Sequence, residues 1–250
     1  MIEMTLLSHR ANINVYDVRI LGETKTVVVY DDHRTLLNVL YHARMKNVTT
    51  GPVNLIYFDY HDDACMVRNI EKYKKYRPHA YTQKECEKFW NFVEFRLSAN
   101  DDNWLYAGMK FNLIKHAIRV AGQQNDNIEG LNNSFRGRHH LEPITSEDIF
   151  QLTSLLLDQT SDEKRHKYVL DFDLDYFTVF KGRKKAWSNQ KFKKFFQDGL
   201  LKKQCDIQRL ARHAEFITIC REPSYCGGIK EANKILSNLD KYLFNGQLKA

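Results

Sequence analysis

Four short apolar runs, each releasing acids or a histidine at its end, constrain this chain more than any other feature. Val53-Asn54-Leu55-Ile56-Tyr57-Phe58 opens into Asp59-Tyr60-His61-Asp62-Asp63, and Tyr168-Val169-Leu170 leads into Asp171-Phe172-Asp173-Leu174-Asp175. Thr26-Val27-Val28-Val29-Tyr30 precedes Asp31-Asp32-His33, and Phe216-Ile217-Thr218-Ile219-Cys220 precedes Arg221-Glu222-Pro223. Runs this long, rich in β-branched and aromatic residues, read as buried strands. Ligands of open α/β sheets sit outside the carboxyl ends of the strands, so a parallel order would gather the four polar clusters in one crevice.

Asp59-x-His61-x-Asp63 offers carboxylate, imidazole and carboxylate at i, i+2 and i+4. That set suits divalent cations taking mixed oxygen and nitrogen ligands. A solvated acidic turn accounts equally well for the pentapeptide by itself; recurrence of the pattern favours a site. If His33, Asp59, His61, Asp63, Asp173 and Asp175 converge, four carboxylates bring four negative charges that two divalent cations would neutralise. Without metal they would repel and raise one another's pKa. A water shared by two cations ionises near neutral pH, which is the chemistry of metal-assisted hydrolysis.

The intervening sequence supplies helices. Ile13 to Leu21 alternates and reads as an opening edge strand, turned by Gly22-Glu23-Thr24. Thr35 to Ala43 has helical spacing and is stopped by Gly51-Pro52, giving a βαβ unit with a parallel pair and a right-handed crossover. Further amphipathic helices are expected over Gln83 to Leu97, Thr145 to Leu157 with an acidic cap, Phe192 to Leu201, Asp206 to His213 and Ile229 to Phe244. Trp104 to Met109 reads as another strand with a pocket-lining end. Asn125 to His140 reads as a polar surface loop suited to a lid or substrate clamp. The expected fold class is α/β, a three-layer α/β/α arrangement with a mostly parallel central sheet, formed by residues 1–250 as one domain.

With 250 residues, 43% hydrophobic and 28% charged, the chain has enough apolar material for such a core. No stretch resembles a signal peptide or a membrane span, so a cytoplasmic protein without a membrane partner is expected. The five cysteines are odd in number and contain no CxxC pair, so neither a disulfide framework nor a zinc knuckle is suggested and reduced thiols are expected. Cys65 and Cys226 lie near the acidic clusters in sequence, but neither has a local histidine to activate it. The net charge of +7 is concentrated in Lys72 to Arg77, Lys181 to Lys185 and Lys191 to Lys194. No nucleic-acid motif accompanies these patches, so solvated surface is preferred to nucleic acid. A basic rim docking an acidic peptide around an acidic pit is a third reading.

Asp32-His33, Asp59-x-His61-x-Asp63 and Asp173-x-Asp175, in this order and each after a strand, resemble the metal-binding motifs of the arginase or ureohydrolase superfamily. Tyr-Phe-Asp-Tyr-His-Asp-Asp at 57–63, Leu-Asp-Phe-Asp-Leu-Asp-Tyr-Phe at 170–177 and Arg-Glu-Pro-Ser-Tyr at 221–225 are similar to the peptide arginases in particular. The resemblance implies an arginase-like fold with two Mn2+ ions. His33 and Asp63 would complete one manganese position and His61 and Asp175 the other, with Asp59 and Asp173 bridging. It further implies that a bridging hydroxide attacks the guanidinium carbon while Glu222 holds the terminal nitrogens. The substrate would be arginine within a ribosomally made precursor peptide, converted to ornithine and urea.

Two departures from the free-arginine enzymes are visible. Tyr30-Asp31-Asp32 stands where those have a glycine pair, and Ala64 to Ala80 lacks the residues that read a free amino acid's head group. Both favour an arginine already in peptide linkage. His79 is a candidate proton shuttle or an ordinary surface histidine. Asp62 and Asp171 read as acids supporting the ligands or solvated. The rivals are a two-metal phosphoesterase or nuclease, with Arg221 as its one strand-end arginine, and a one-zinc deacetylase-like amidohydrolase using Tyr225. A non-catalytic binding protein that kept the fold is a third.

Overall fold

The computed structural model describes residues 13–98, 103–121, 128–135, 138–145, 148–149, 151–153, 167–197 and 206–248. Strands β1 (Asn14–Ile20), β2 (Glu23–Tyr30), β3 (Val53–Asp59), β4 (Ile114–Ala121), β5 (His140–Ile144), β6 (Tyr168–Asp173) and β9 (Ile217–Cys220) form one sheet in the order β1-β2-β9-β6-β3-β4-β5. β1 is antiparallel to β2 at the edge, and the other pairings are all parallel. A small antiparallel hairpin, β7 (Thr178–Phe180) and β8 (Lys184–Ala186), follows β6.

Helices cover both faces because the central strands are apolar on both. On one face pack α1 (Thr35–Met45), α2 (Gln83–Arg96) and α3 (Trp104–Lys110), where Leu37, Leu40 and Phe89 meet Tyr57 and Val169. On the other pack α5 (Asn189–Gln197), α6 (Asp206–His213) and α7 (Ile229–Leu239), where Phe192, Leu210 and Ile235 meet Phe58 and Phe172. α4 (Ile128–Phe135) joins the first core through Phe135. Burying each large apolar side chain contributes about 1.5–3 kcal/mol, so these two layers hold the sheet between them.

Several expectations are corrected. Trp104 to Lys110 is a helix, not a strand: its first six residues are all buried, so no polar face marks the helical period. Gly108 lets that helix come close, since a Cβ there would fall 2.7 Å from the Ile114 side chain and 2.8 Å from Leu37. β2 and β3 are parallel but not adjacent, because β9 and β6 lie between them. Residues 128–135 of the supposed loop are helical, and its end enters β5; 125–127 and 136–137 lie outside the described residues. α5 begins at Asn189, three positions before Phe192, and the expected continuation over 198–201 lies outside the described residues. Of the helix expected over 145–157, Asp148 Oδ2 accepts from the Thr145 hydroxyl at 2.8 Å and its backbone N–H at 2.9 Å, and Ile149 and residues 151–153 are helical. Its end at 154–157 lies outside the described residues. Edge strand β1, helices α1, α2 and α6, and the run from Ile229 to Phe244 form where expected.

Candidate metal centre

The four strands whose ends carry acids or histidine are contiguous in the sheet, as β2-β9-β6-β3. Their carboxyl ends therefore share one rim. The crevice at this rim is a topological switch point, because the chain runs outward from β3 to β5 before returning on the other side with β6. Phe58 pairs with Phe172, so Asp59 and Asp173 leave neighbouring strands one residue later. Strand alternation puts Asp171 and Asp173 on one face while Phe172 fills the opposite core. His33 enters from the segment between β2 and α1.

The side chains converge. His33 Nδ1 lies 3.0 Å from Asp63 Oδ2, 3.2 Å from Asp173 Oδ2 and 3.7 Å from Asp59 Oδ2. His61 Nδ1 lies 2.9 Å from Asp175 Oδ2. Ligand atoms of His33, Asp59 and Asp63 all fall within 4.8 Å of one another, as do those of Asp59, His61 and Asp175, and those of His33, Asp173 and Glu222. Asp59 belongs to the first two groups and His33 to the first and third, so the three form one continuous cluster.

Orientation is set by hydrogen bonds that leave one oxygen of each acid for the cluster. Asp59 Oδ1 accepts from His61 N–H at 2.7 Å, Asp173 Oδ1 from Asp175 N–H at 3.1 Å, and Asp175 Oδ1 from Tyr60 N–H at 3.1 Å. Their Oδ2 atoms face the imidazoles. Asp63 accepts from the Trp104 indole N–H, whose ring centroid lies 4.4 Å from that of His33. Arg119, buried on β4, donates to the carbonyls of Asp59 at 3.3 Å and Tyr60 at 2.7 Å and so fixes the turn after β3. Asp63 and Glu222 hold left-handed backbone, at φ 47° and 33°, a costly conformation that persists where surrounding structure enforces it and that clusters at functional sites.

Behind His33 stands Asp171. Its Oδ2 is 2.8 Å from His33 Nε2, while Tyr30 and Thr218 donate their hydroxyls to its Oδ1 at 3.1 and 2.5 Å. A carboxylate on Nε2 fixes the tautomer that leaves the Nδ1 lone pair directed into the cluster. Replacing Asp171 with Asn removes that preference while keeping the volume. The expected result is roughly 10- to 100-fold weaker Mn2+ binding with an intact fold, read from metal titration beside circular dichroism.

Electrostatics favour a cation here. Burial, then the neighbouring Asp63, Asp173 and Asp175, push the Asp59 carboxyl well above its ordinary range. Burial and Asp175 push Asp173 up to about 6, against the pull of His33. Burial opposes protonation of His33, yet the carboxylates of Asp171, Asp173 and Asp63 hold its pKa well above the usual value. The Asp175 carboxylate beside it raises that of His61. His33 Nδ1, Asp59 Oδ2 and Asp175 Oδ2 are buried and make no hydrogen bond of acceptable geometry among the described residues. Buried polar atoms left so are costly unless a further group satisfies them. An oxygen-rich set with two imidazoles and no thiolate fits hard or borderline divalent cations such as Mn2+.

These shifts have one sign. Asp59, Asp173 and His33 all hold protons more tightly folded than unfolded, so without metal the fold loses their stabilising contribution as pH rises through the folded pKa of Asp173 near 6. Thermal scans of EDTA-treated protein should give a higher midpoint at about pH 5 than at about pH 7.5, and saturating Mn2+ should reverse the order because ligands bind metal deprotonated.

The expected ligands His33, Asp59, His61, Asp63, Asp173 and Asp175 are thus brought together, with Glu222 beside them. His79 is not among them: it is exposed, with its backbone N–H on Glu85 Oε2 at 3.3 Å at the start of α2. Arg221, the strand-end arginine a phosphate site would use, pairs in bidentate fashion with Asp31 at 2.5 and 2.8 Å. Asp62 is half-buried, and its carbonyl accepts from the Tyr57 hydroxyl at 3.0 Å. Cys226 is buried with its thiol pKa raised, chiefly by burial, and its Sγ points to the Arg221 carbonyl at 3.2 Å, so it behaves as core. Sequence reasoning missed Arg119, Lys184, Thr218 and Tyr30 as supports, and it placed Trp104 at the start of a strand. An arginine amid the apolar residues of Ile118 to Val120 was the one available signal.

The fold and the cluster together define an α/β protein with a buried His/Asp centre able to hold metal. Neither a known family's sequence profile nor a curated protein matches the chain. Among solved structures it is similar to an arginase from Medicago truncatula, at TM-score 0.47 and 10% identity over 88% of this chain and 58% of that one. It is also similar to the proclavaminate amidino hydrolase from Streptomyces clavuligerus, at TM-score 0.45 and 14% identity over 90% and 64%. A third is the agmatine ureohydrolase of Thermoplasma volcanium, at TM-score 0.42 and 13% identity over 89% and 62%. The chain spans less than two thirds of the length of each of these three. Likenesses at this level assign no role to any residue. Among the described residues, no helix is long and apolar enough to cross a membrane.

Proposed function

We propose that the chain is a binuclear-manganese hydrolase acting on arginine side chains within a ribosomally made precursor peptide, giving ornithine and urea. The observation that carries the reading is the single cluster of ligand atoms, sharing Asp59 and His33, that meets at the rim of four adjacent strands. His33, Asp63, Asp59 and Asp173 would hold one ion, and His61, Asp175, Asp59 and Asp173 the other. Bound in pairs, such ions supply Lewis acidity and acidify water near neutral pH.

The chain's own groups do the rest. Glu222, 4% exposed and within 4.8 Å of ligand atoms of His33 and Asp173, is placed to accept hydrogen bonds from a guanidinium, and charge assistance makes such bonds about twice as strong as neutral ones. Asp171 and Trp104 fix His33 and Asp63, and Arg119 fixes the β3 turn, so the donors need no reorganisation when substrate arrives. Water adds to the guanidinium carbon, the bond from that carbon to the side-chain nitrogen breaks, and the nitrogen takes up a proton to leave as the ornithine amine. Residues 70–76, where a free-amino-acid reader would be sought, form a turn of 3-10 helix with exposed Lys72, Lys74 and Lys75. An exposed basic surface of this kind suits a peptide substrate better than a free amino acid.

Engagement of Arg221 by Asp31 weighs against a phosphate ester as substrate. Urea release from an arginine-containing peptide against free arginine, with Mn2+ present, tests the proposal. Urea from the peptide and little from the amino acid is the expected result; urea from free arginine alone, or none from either, contradicts it.

A further inference from the structure

The two halves of the cluster are not built alike. His33 and Asp63 are buried, backed by Asp171 and Trp104, with no lysine or arginine in contact among the described residues. The other half is open: the His61 side chain is 34% exposed, and Lys184 reaches in from β8. Lys184 Nζ lies 3.6 Å from Asp175 Oδ2, the oxygen turned toward the cluster, and its side chain is 27% exposed. The ammonium sits 5.0 Å from the ring centre of Tyr60 and 5.5 Å from that of Tyr225, and the ring of Tyr225 lies 5.4 Å from His61.

This position is held by the backbone. Gly227, at φ 92°, lies so close to β8 that a Cβ there would stand 2.3 Å from the Lys184 carbonyl oxygen. Ala186 N–H donates to Glu231 Oε2 at 2.9 Å, pinning the strand to α7. With its main chain fixed on both sides, Lys184 keeps its flexible side chain within reach of Asp175.

We propose that Lys184 is a built-in competitor for the second cation position, so that the two positions fill in order, the His33 side first. Resting on the two-cation reading above, the inference adds an inequality between the positions. In the metal-free chain the ammonium neutralises Asp175. An ion entering between His61 and Asp175 must displace it, and afterwards meets a like charge kept near by the faces of Tyr60 and Tyr225. The His33 position has no ammonium in contact among the described residues and has its imidazole already oriented, so it binds more tightly. Availability of the second ion would then set the fraction of competent protein.

Stepwise Mn2+ titration of the full chain, followed by electron paramagnetic resonance of free and spin-coupled Mn2+, tests this without an activity assay. Wild type should bind in two resolved steps. Lys184→Gln should tighten the second step by about two- to fivefold, the range for a partly exposed ion pair, and leave the first unchanged. Lys184→Arg should keep the inequality. An unaltered second step in Lys184→Gln, equal tightening of both steps, or two equal steps in wild type overturns the inference and leaves the two-cation centre standing. Wild type that takes up no Mn2+ overturns the centre itself and the inference with it.

Discussion

Asp173→Asn should reduce urea release by about a thousandfold or more while leaving the fold intact. The two oxygens of Asp173 have separate tasks: Oδ1 accepts from Asp175 N–H and Oδ2 faces His33. Asparagine retains an oxygen for the first task and cannot supply a charged ligand for the second. Because Asp173 is proposed to serve both ions, both weaken, and the lost charge stabilisation of several kcal/mol corresponds to tenfold in rate for each ~1.4 kcal/mol. Removing one buried acid also relieves repulsion among Asp59, Asp173 and Asp175. The metal-free variant should therefore melt no lower than wild type near neutral pH. Loss of turnover with retained stability separates a ligand from a structural residue, and full Mn2+-dependent turnover in the purified variant would refute the assignment of Asp173.

Glu222→Gln should behave differently. Its ligand-sphere neighbours remain, so Mn2+ content should stay near wild type while kcat/KM for peptidyl arginine falls by about 10- to 100-fold, as expected for exchanging a charge-assisted hydrogen bond for a neutral one. Left-handed backbone at Glu222 and the following Pro223 are unaffected by an isosteric change. Equal losses of metal and activity would instead make Glu222 a ligand, in keeping with its place beside His33 and Asp173.

The site was legible in the sequence to the extent that its chemistry is local. Asp59, His61 and Asp63 are neighbours on one turn, and Asp173 and Asp175 follow one strand, so apolar runs ending in acids announced both. β2, β3, β6 and β9 were readable for the same reason, being buried on both faces and hence nearly continuous in hydrophobicity. β4 escaped notice because Lys115, His116 and Arg119 interrupt it, and β5 because it is short and carries Pro143 at the sheet edge. Trp104 to Met109 misled because six buried residues in succession have no period.

What sequence could not supply was adjacency. Placing β9 and β6 between β2 and β3 depends on residues far downstream, since β2 ends at Tyr30 while β6 begins at Tyr168 and β9 at Ile217. The supports of the cluster are distributed in the same way: Tyr30, Thr218 and Asp171 meet from three strands, and Trp104 reaches Asp63 from a helix. Lys184 arrives on a hairpin whose basic run looked like solvated surface. Each is an ordinary residue type whose role exists only in three dimensions.

Counting Mn2+ per chain by elemental analysis, after equilibration with excess Mn2+ and removal of the free ion, tests the centre most directly. Two ions per chain in wild type, with the bound metal reduced in both His33→Ala and His61→Ala, is the result expected from the convergence of these side chains. Wild-type protein that retains no Mn2+, or whose bound metal is indifferent to both substitutions, would contradict it.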